Sequence, residues 1–232
     1  MVYIGNNGKA ASVSSIKVGD ADGKAQNVVG GWAGDENGKA RRIWSGSDAF
    51  RFKVNGSGSI TFSGNVEISD GSSKKQYVAA VDETYNWGIA AKTITIRGEL
   101  TNIRFNANRS LEEILSVFPA SMSGVTSFSE TFRGCASLTS IPAGLFDNCT
   151  AVKSFNGAFS GCTSLAAIPA GLFDNCTAVK SFYNTFNGCT SITSAVPELW
   201  DTAKWPNATN HADCFFNCAN AANYANIPAD WK

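Results

Sequence analysis

Residues 159–176 read FSGCTSLAAIPAGLFDNC, in which a phenylalanine, two small or polar residues and a cysteine occur twice. This Phe-x-x-Cys motif occurs six times in the C-terminal half, and a longer and a shorter spacing alternate between Cys135, Cys149, Cys162, Cys176 and Cys189. A fixed period made of two unequal halves is typical of a solenoid, whose units bury their apolar faces only by stacking. The motif therefore predicts a structural ladder of Phe132, Cys135, Phe146, Cys149, Phe159, Cys162, Phe173, Cys176, Phe186, Cys189, Phe215 and Cys218, with Trp200 and Ala203 as a degenerate copy.

Other apolar residues keep fixed phases of the same repeat, so we expect further ladders that point inward. Burial of each such side chain contributes about 1.5–3 kcal/mol, so a stack of about four turns can be stable without metal or disulfide. The residues at these phases are Leu138, Ile141, Val152, Phe155, Leu165, Ile168, Val179 and Phe182.

Three roles are open to the seven cysteines. Zinc binding would need closely spaced ligands, and the only close pair is Cys214 and Cys218 near the single histidine, His211. Disulfides between equivalent positions one turn apart nearly fit, because stacked strands lie about 4.8 Å apart, but parallel side chains hold the Cβ atoms slightly too far apart. The pattern favours the third role, a small buried apolar residue at a tight corner, and we expect no cofactor.

Composition narrows the possible partners. Lys plus Arg and Asp plus Glu number 19 each, so the net charge favours neither nucleic acid nor an anionic lipid surface. The apolar stretches are too interrupted to span a bilayer, and the first residues lack the features of a secretory signal peptide. An odd number of cysteines without an export signal indicates free thiols. One histidine excludes most Ser-His-Asp and Cys-His schemes, so we expect no enzymatic activity.

Residues 1–46 carry a different repeat, in which Gly-Lys-Ala recurs at regular intervals from Gly8, Gly23 and Gly38. Turns rich in Gly, Asn and Asp separate short β-prone stretches, which predicts a series of β-hairpins. These turns resemble fragments of calcium loops but lack the full ligand series, so plain turns are favoured. So thin a segment needs a neighbour, and we expect it to attach to a larger assembly or to form a homo-oligomer.

Residues 47–106 alternate apolar and polar side chains with glycine punctuation, which is typical of half-buried antiparallel strands. Five to seven such strands in so short a segment predict a small β-sandwich. Leu111, Ile114, Leu115 and Phe118 follow at helical spacing, and Ser110 begins a capping box. We therefore expect a short helix over 110–118 that caps the solenoid of residues 107–232.

A candidate binding surface emerges from positions whose residue type changes between turns. Residues 129–131 read SET, 156–158 read NGA and 183–185 read YNT, while Arg133 becomes Ser160 and then Asn187. Ladder positions repeat because they are buried, so we expect these changing positions to face solvent. Their aromatic residues either recognise a partner or merely cover the edge of the core. The candidates are Tyr183, Asn184, Asn187, Arg133 and Trp205.

The solenoid segment resembles a known family. Residues 158–169 read AFSGCTSLAAIP and are similar to the Ala-Phe-x-x-Cys-x-x-Leu-x-x-Ile-Pro repeat of BspA-like leucine-rich repeat surface proteins. Residues 68–72 (ISDGS) and 92–98 (KTITIRG) resemble the PKD-like, Ig-type β-sandwich that often precedes such repeats. The Gly-Lys-Ala repeats look like those at the start of tail, fibre and other appendage proteins in phages of gut bacteria.

These resemblances imply display and binding rather than catalysis. A virion protein is made in the host cytoplasm, which suits free thiols, whereas a bacterial adhesin needs export. We therefore expect a virion surface protein whose N-terminus binds other virion proteins and whose repeats bind a host glycan or protein. The alternative is a BspA-like adhesin on a bacterial cell surface.

Overall fold

The computed structural model describes residues 49–105 and 107–232, together with the backbone of four short strands between residues 17 and 43. The chain divides into two compact units, Met1–Asp48 and Ala49–Lys232. The described part is mainly β, and its helices are single 3-10 turns at Ala120–Met122, Tyr224–Asn226 and Ala229–Trp231. None of the helices in this described part is long and apolar enough to cross a membrane.

The described strands of the first unit form two antiparallel pairs. Strand β1 (Lys17–Gly19) pairs with β2 (Ala25–Asn27), and β3 (Gly31–Gly34) pairs with β4 (Ala40–Ile43). In each pair the strands flank one of the segments rich in Gly and Asp, so the antiparallel pairing expected for these two hairpins is confirmed. The first copy of that repeat, at Gly8, lies outside the described residues.

The second unit begins with one five-stranded antiparallel sheet. Its strands are β5 (Phe50–Val54), β6 (Gly58–Ser69), β7 (Lys74–Trp87), β8 (Lys92–Arg104) and β9 (Leu111–Ile114), in the order β7-β6-β8-β5-β9. The alternating strands are confirmed, because every second side chain of β5, β6 and β8 is buried.

The predicted β-sandwich is wrong, because these strands join a single sheet. Long strands β6 and β8 continue through a bulge instead of breaking into two layers. Gly64, at the bulge, has φ +126°, and Gly98, which pairs with Val66, has φ +123°, a conformation that favours glycine. A Cβ on Gly64 would clash with the Glu99 carbonyl oxygen, so the close approach of the strands also requires glycine.

The predicted helix over 110–118 is also wrong, because Leu111–Ile114 forms β9. A helix of this length is marginal by itself, whereas the edge of β5 offers main-chain partners. Asn55 N–H donates to Ser110 O at 2.8 Å, and Leu115 N–H donates to Arg51 O at 2.8 Å. A bulge between Lys53 and Val54 lets Leu111 and Ile114 both reach the buried face in spite of their helix-like spacing.

Beyond the sheet, the chain forms a stack of coils that follows the period of the Phe-x-x-Cys repeat. Parallel bridges join Ser127 to Ser154, Ser154 to Ser181 and Ser181 to Asn210. Buried rings follow the same offset: Phe159 lies 5.1 Å from Phe132 and 5.3 Å from Phe186, with interplanar angles of 10° and 2°. The predicted ladder phenylalanines and cysteines are all buried in one continuous core, against which Trp200 packs partly exposed.

The sheet, and not a helix, covers the first coil. Phe105, just after β8, lies 5.0 Å from Phe132, one period further along the chain. Phe118 lies 4.6 Å from Phe50 on β5 and 4.9 Å from Phe128. The buried face of the sheet and the interior of the stack therefore form one hydrophobic core.

The last coil departs from the repeat. Ala203, at the phase of Cys176, is exposed, whereas Trp205 is 5% exposed and lies 5.8 Å from the Phe182 ring. Trp205 therefore supplies a buried ring against Phe182 in this coil. At the end of the chain, Trp231 O accepts from Phe215 N–H at 2.8 Å, and the Trp231 ring stacks on His211 at 4.3 Å.

Candidate functional site

One face of the stack combines a constant backbone with changing side chains. Phe128 N–H donates to Ser154 O, Phe155 N–H to Ser181 O and Phe182 N–H to Asn210 O, all at 2.8–2.9 Å. The same pattern continues along each segment through Gly134, Gly161 and Gly188. We call the outward side chains of segments 127–133, 154–160, 181–187 and 210–216 the variable ridge.

Some positions expected to face solvent point inward. Thr131 and Thr185 are 2% and 0% exposed, and Ala158 is also fully buried. The Thr185 hydroxyl donates to carbonyl oxygens of its own coil, at Phe182 (2.7 Å), and of the preceding coil, at Phe155 (3.0 Å). Because the third residue of each triplet fills the core, its variation carries no information about a ligand.

The second residue of each triplet has a left-handed backbone. The φ angle is +57° at Glu130, +61° at Gly157 and +54° at Asn184, and Asp213 continues the series at +56°. Gly, Asn and Asp tolerate this conformation better than other residues, which explains their presence at three of the four positions.

That backbone conformation brings together two side chains on one turn of the chain. In the first coil, Arg133 Nη1 lies 2.6 Å from Glu130 Oε1, and the two side chains are 57% and 55% exposed. In the third coil, Asn187 Nδ2 donates to Asn184 Oδ1 at 2.9 Å. One geometric position therefore presents an ion pair in one coil and an amide pair in another.

The structure groups the predicted binding residues unevenly. Tyr183, Asn184 and Asn187 lie together on the third coil of the ridge, half-buried. Arg133 is exposed but lies two coils away, separated by the small residues of the second coil. Trp205 is not on the ridge, because it is buried in the irregular last coil.

Sequence reasoning missed Phe216. This side chain is 45% exposed and occupies the phase of Arg133 and Asn187 on the fourth coil. The signal was present in the Phe215-Phe216 pair, since only the first phenylalanine has the Phe-x-x-Cys spacing. The ridge thus ends on an exposed aromatic ring.

The corner cysteines have both a packing role and a hydrogen-bonding role. Cys162 Sγ lies 3.2 Å from Phe132 O of the preceding coil, and Cys189 and Cys218 repeat this contact at 3.2 and 3.1 Å. Each thiol donates a weak hydrogen bond to a carbonyl that also accepts from a backbone N–H within its own coil. The thiol therefore links neighbouring coils.

Burial keeps the cysteine thiols protonated. All seven cysteines are free and buried. Burial raises the pKa of Cys135 to about 12, that of Cys176 to about 12 and that of Cys218 to about 11. Because the thiolate is the nucleophile and the metal ligand, these residues are inert near neutral pH.

The cysteine and histidine candidates for zinc do not assemble. His211 stacks on Trp231, and its Nδ1 lies 3.7 Å from Asp230 Oδ2. Cys214 is buried and takes the phase of Thr185 rather than that of the corner cysteines. Within residues 49–105 and 107–232, no group of three His, Cys, Asp or Glu side chains could hold a metal ion.

Comparison with known proteins found no matching family model, no matching curated protein and no matching solved structure.

Proposed function

We propose that this chain is a non-enzymatic virion appendage protein, of a phage tail, fibre or capsid surface. In this proposal the N-terminal unit attaches to the particle, and the stacked coils display a surface that binds a host glycan or protein. The coils are assigned to the leucine-rich repeats of the BspA-like type. The variable ridge is the observation that supports this function best.

The ridge separates structural from recognition positions. Its backbone hydrogen bonds and buried rings recur in each coil, so they hold the outward side chains at regular intervals. The outward pair changes from Glu130 and Arg133 to Asn184 and Asn187, and ends with exposed Phe216. Repeat proteins recognise partners through such one-sided surfaces, because substitutions there leave the stack intact.

Attachment is assigned to the first unit because of its small hairpins. Each pair contains strands of three or four residues, and isolated two-stranded hairpins are marginal in water. A partner protein or a second copy of the chain would supply the missing buried surface. The likeness of the Gly-Lys-Ala repeats to phage appendage proteins favours other virion proteins as that partner.

Binding can be tested with fluorescently labelled full-length protein on a panel of gut bacterial cells and on a glycan array. We expect Phe216→Ala and Asn187→Ala to weaken binding about tenfold, as for central residues of an interface. Ile89→Ala is the matched control, because Ile89 is 82% exposed but belongs to the sheet region. Unchanged thermal unfolding would show that the fold is intact, and wild-type binding by both ridge variants would refute the ridge as the contact.

Fractionation tests whether the chain belongs to a virion or to a bacterial cell surface. Recovery of the chain with tail or capsid proteins in purified particles would support the virion assignment. Recovery with the bacterial cell-wall fraction and absence from particles would replace it with the adhesin.

A further inference from the structure

Two neighbouring coils of the variable ridge bring free polar groups and an exposed ring together. Asn184 N–H donates to Ala212 O at 3.1 Å, which sets the register of the third coil against the fourth. Gly188 N–H donates to Phe216 O at 2.8 Å in the same register. Outward side chains of equal phase therefore lie side by side, at about the 4.8 Å spacing of stacked strands. Four of them form what we call the amide patch: Asn184, Asn187, Asp213 and Phe216.

The two amides of the patch are held in place but not saturated. Asn187 Nδ2 donates to Asn184 Oδ1 at 2.9 Å, so each side chain positions the other. An amide has two donor hydrogens and one acceptor oxygen. Asn184 therefore keeps both of its donors for a ligand, and Asn187 keeps one donor and its oxygen.

Asp213 adds a free carboxylate to the patch. Its φ of +56° repeats the left-handed turn at Asn184, which brings it beside the side chain three residues later, Phe216. The carboxylate makes no hydrogen bond or ion pair with the residues that the structure describes. Its acceptor oxygens are therefore open to a ligand.

Charge limits the class of ligand. Asp213 is the one charged side chain in the ridge segments of the third and fourth coils, with His211 counted as neutral. A lone carboxylate disfavours phosphate, sulfate and carboxylate groups, and the amide donors suit an ammonium poorly because it offers donors only. A neutral hydroxyl group both donates and accepts, so it matches all three polar side chains of the patch.

The Phe216 ring gives the patch an apolar wall that the stack does not require. The ring is 45% exposed, and it makes no ring contact within the described part of the chain. Arg133, Ser160 and Asn187 hold the same phase on the earlier coils, so that phase tolerates polar side chains. The ring therefore offers an apolar face to a ligand without serving the ladder.

The small extent of the patch favours a small ligand group over a protein surface. A standard protein–protein contact takes about 20–30 residues from each partner. The free groups of the patch belong to two coils only, because Glu130 and Arg133 on the first coil already pair with each other at 2.6 Å. The second coil presents only the small residues Gly157 and Ser160 at these phases. A neutral pyranose has the matching chemistry, since its hydroxyl groups surround a ring with an apolar C–H face.

We propose that the amide patch binds a neutral pyranose ring of a glycan. Adjacent sugar hydroxyls donate to the Asp213 carboxylate and to Asn187 Oδ1, and they accept from Asn184 Nδ2. The C–H face of the sugar packs on the Phe216 ring. The four side chains are exposed or partly exposed, so the sugar reaches them without any movement of the chain. This inference rests on the proposed receptor-binding function and identifies the receptor as a glycan.

The test is a titration of ¹⁵N-labelled full-length protein with methyl glycosides of glucose, galactose and N-acetylglucosamine. Each is added up to about 50 mM, because the usual binding efficiency of small ligands places such a molecule near a Kd of about 1 mM. The side-chain amide resonances of the patch are assigned by their loss in Asn184→Asp and Asn187→Ser. We expect these resonances to shift with at least one glycoside.

Two variants remove the apolar face and the carboxylate separately, namely Phe216→Ser and Asp213→Asn. Both should fold, because serine and asparagine already hold these phases on earlier coils, at Ser160 and Asn184. We expect each variant to bind the glycoside about tenfold more weakly than the wild type. Ile89→Ser is the matched control and should keep wild-type affinity, because it removes an apolar side chain that is 82% exposed but lies outside the ridge.

Several outcomes would overturn the sugar site. These are no shift with any glycoside, or wild-type affinity in both patch variants. A response only to sodium phosphate, tetramethylammonium chloride or N-acetylglycine methylamide would also overturn it, because the ligand would then be an anion, a cation or a peptide. If Phe216→Ser fails to fold, Asp213→Asn decides the comparison. Cell binding by a protein that binds no glycoside would refute the sugar site alone, whereas absence of every cell and glycan contact would refute the receptor-binding function.

Discussion

The buried thiols should make the protein unfold in moderately alkaline solution. In the unfolded chain a thiol titrates near pH 8.5–9, but in the folded chain burial raises the pKa of Cys135, Cys149 and Cys176 to about 12. Between these values the unfolded state releases protons that the folded state keeps, so stability falls as pH rises. At pH 10 the loss is about 1.5–2 kcal/mol for each buried thiol.

These three thiols together cost on the order of 5 kcal/mol at pH 10, which is a large part of the stability of a typical domain, and burial of the other four thiols acts in the same direction. We therefore expect loss of the fold near pH 10, measured by circular dichroism from pH 7 to pH 11. Lysines and tyrosines also titrate in this range, so the cysteine contribution needs its own control.

The control is Cys162→Ala. Loss of packing should lower the free energy of unfolding at every pH. Removal of this thiol should also make that free energy fall less between pH 7.5 and pH 9.5, because burial raises the pKa of Cys162 well above its usual range. Urea denaturation at the two pH values measures that difference independently of the packing loss. An identical pH dependence in wild type and Cys162→Ala would refute the assignment of alkaline sensitivity to the thiols.

Three further predictions concern the fold. Gly64→Ala should lower the free energy of unfolding by more than about 3 kcal/mol, because its Cβ would force β8 to move. Gly71→Ala should lower it by only about 1 kcal/mol, because Gly71 has φ +89° but no atom lies within 4 Å of its Cβ. Equal midpoints of the two variants in urea denaturation would contradict the clash at Gly64. Phe159→Ala should lower the free energy of unfolding by about 3–5 kcal/mol, because its ring is buried in the ladder, whereas Phe216→Ala should lower it by less than about 0.5 kcal/mol, because its ring is exposed. A reversed order in urea denaturation would refute the stabilising role of the phenylalanine ladder. Asp70→Asn should lower the free energy of unfolding at pH 7 and should make that free energy fall less steeply below pH 4. The reason is that the Lys92 ammonium and backbone N–H groups hold the pKa of Asp70 well below its usual range. If stability depends on acid pH in the same way in both proteins, Asp70 does not cause the acid sensitivity.

The ladders were predictable because burial forces repetition. Each phenylalanine contacts the phenylalanine one period away, so a change at one position would leave a gap in two coils. The helix prediction failed at Leu111 and Ile114 because their spacing fits a helix face as well as a bulged strand. The edge of β5, far earlier in the chain, decided between them, and no local pattern contains that information.

The candidate surface was only partly predictable. Variation between coils identified Arg133 and Asn187, but it could not distinguish an outward residue from a core residue that tolerates Thr, Ala or Cys. The left-handed position was readable from Gly157 and Asn184, residues that suit positive φ. Trp205 was predicted to lie on the surface, yet it is buried, because the longer last coil folds its ring onto the core.

The equal length of neighbouring coils makes the whole coil the natural unit of length variation. Duplication of one coil from the regular region, such as residues 135–161, would add one rung to every ladder and present matching hydrogen-bond partners above and below. The sheet at one end and the irregular coil at the other would keep their own contacts. Recombination between repeats could therefore lengthen the ridge in steps of about 4.8 Å, and each step would introduce a new pair of outward side chains.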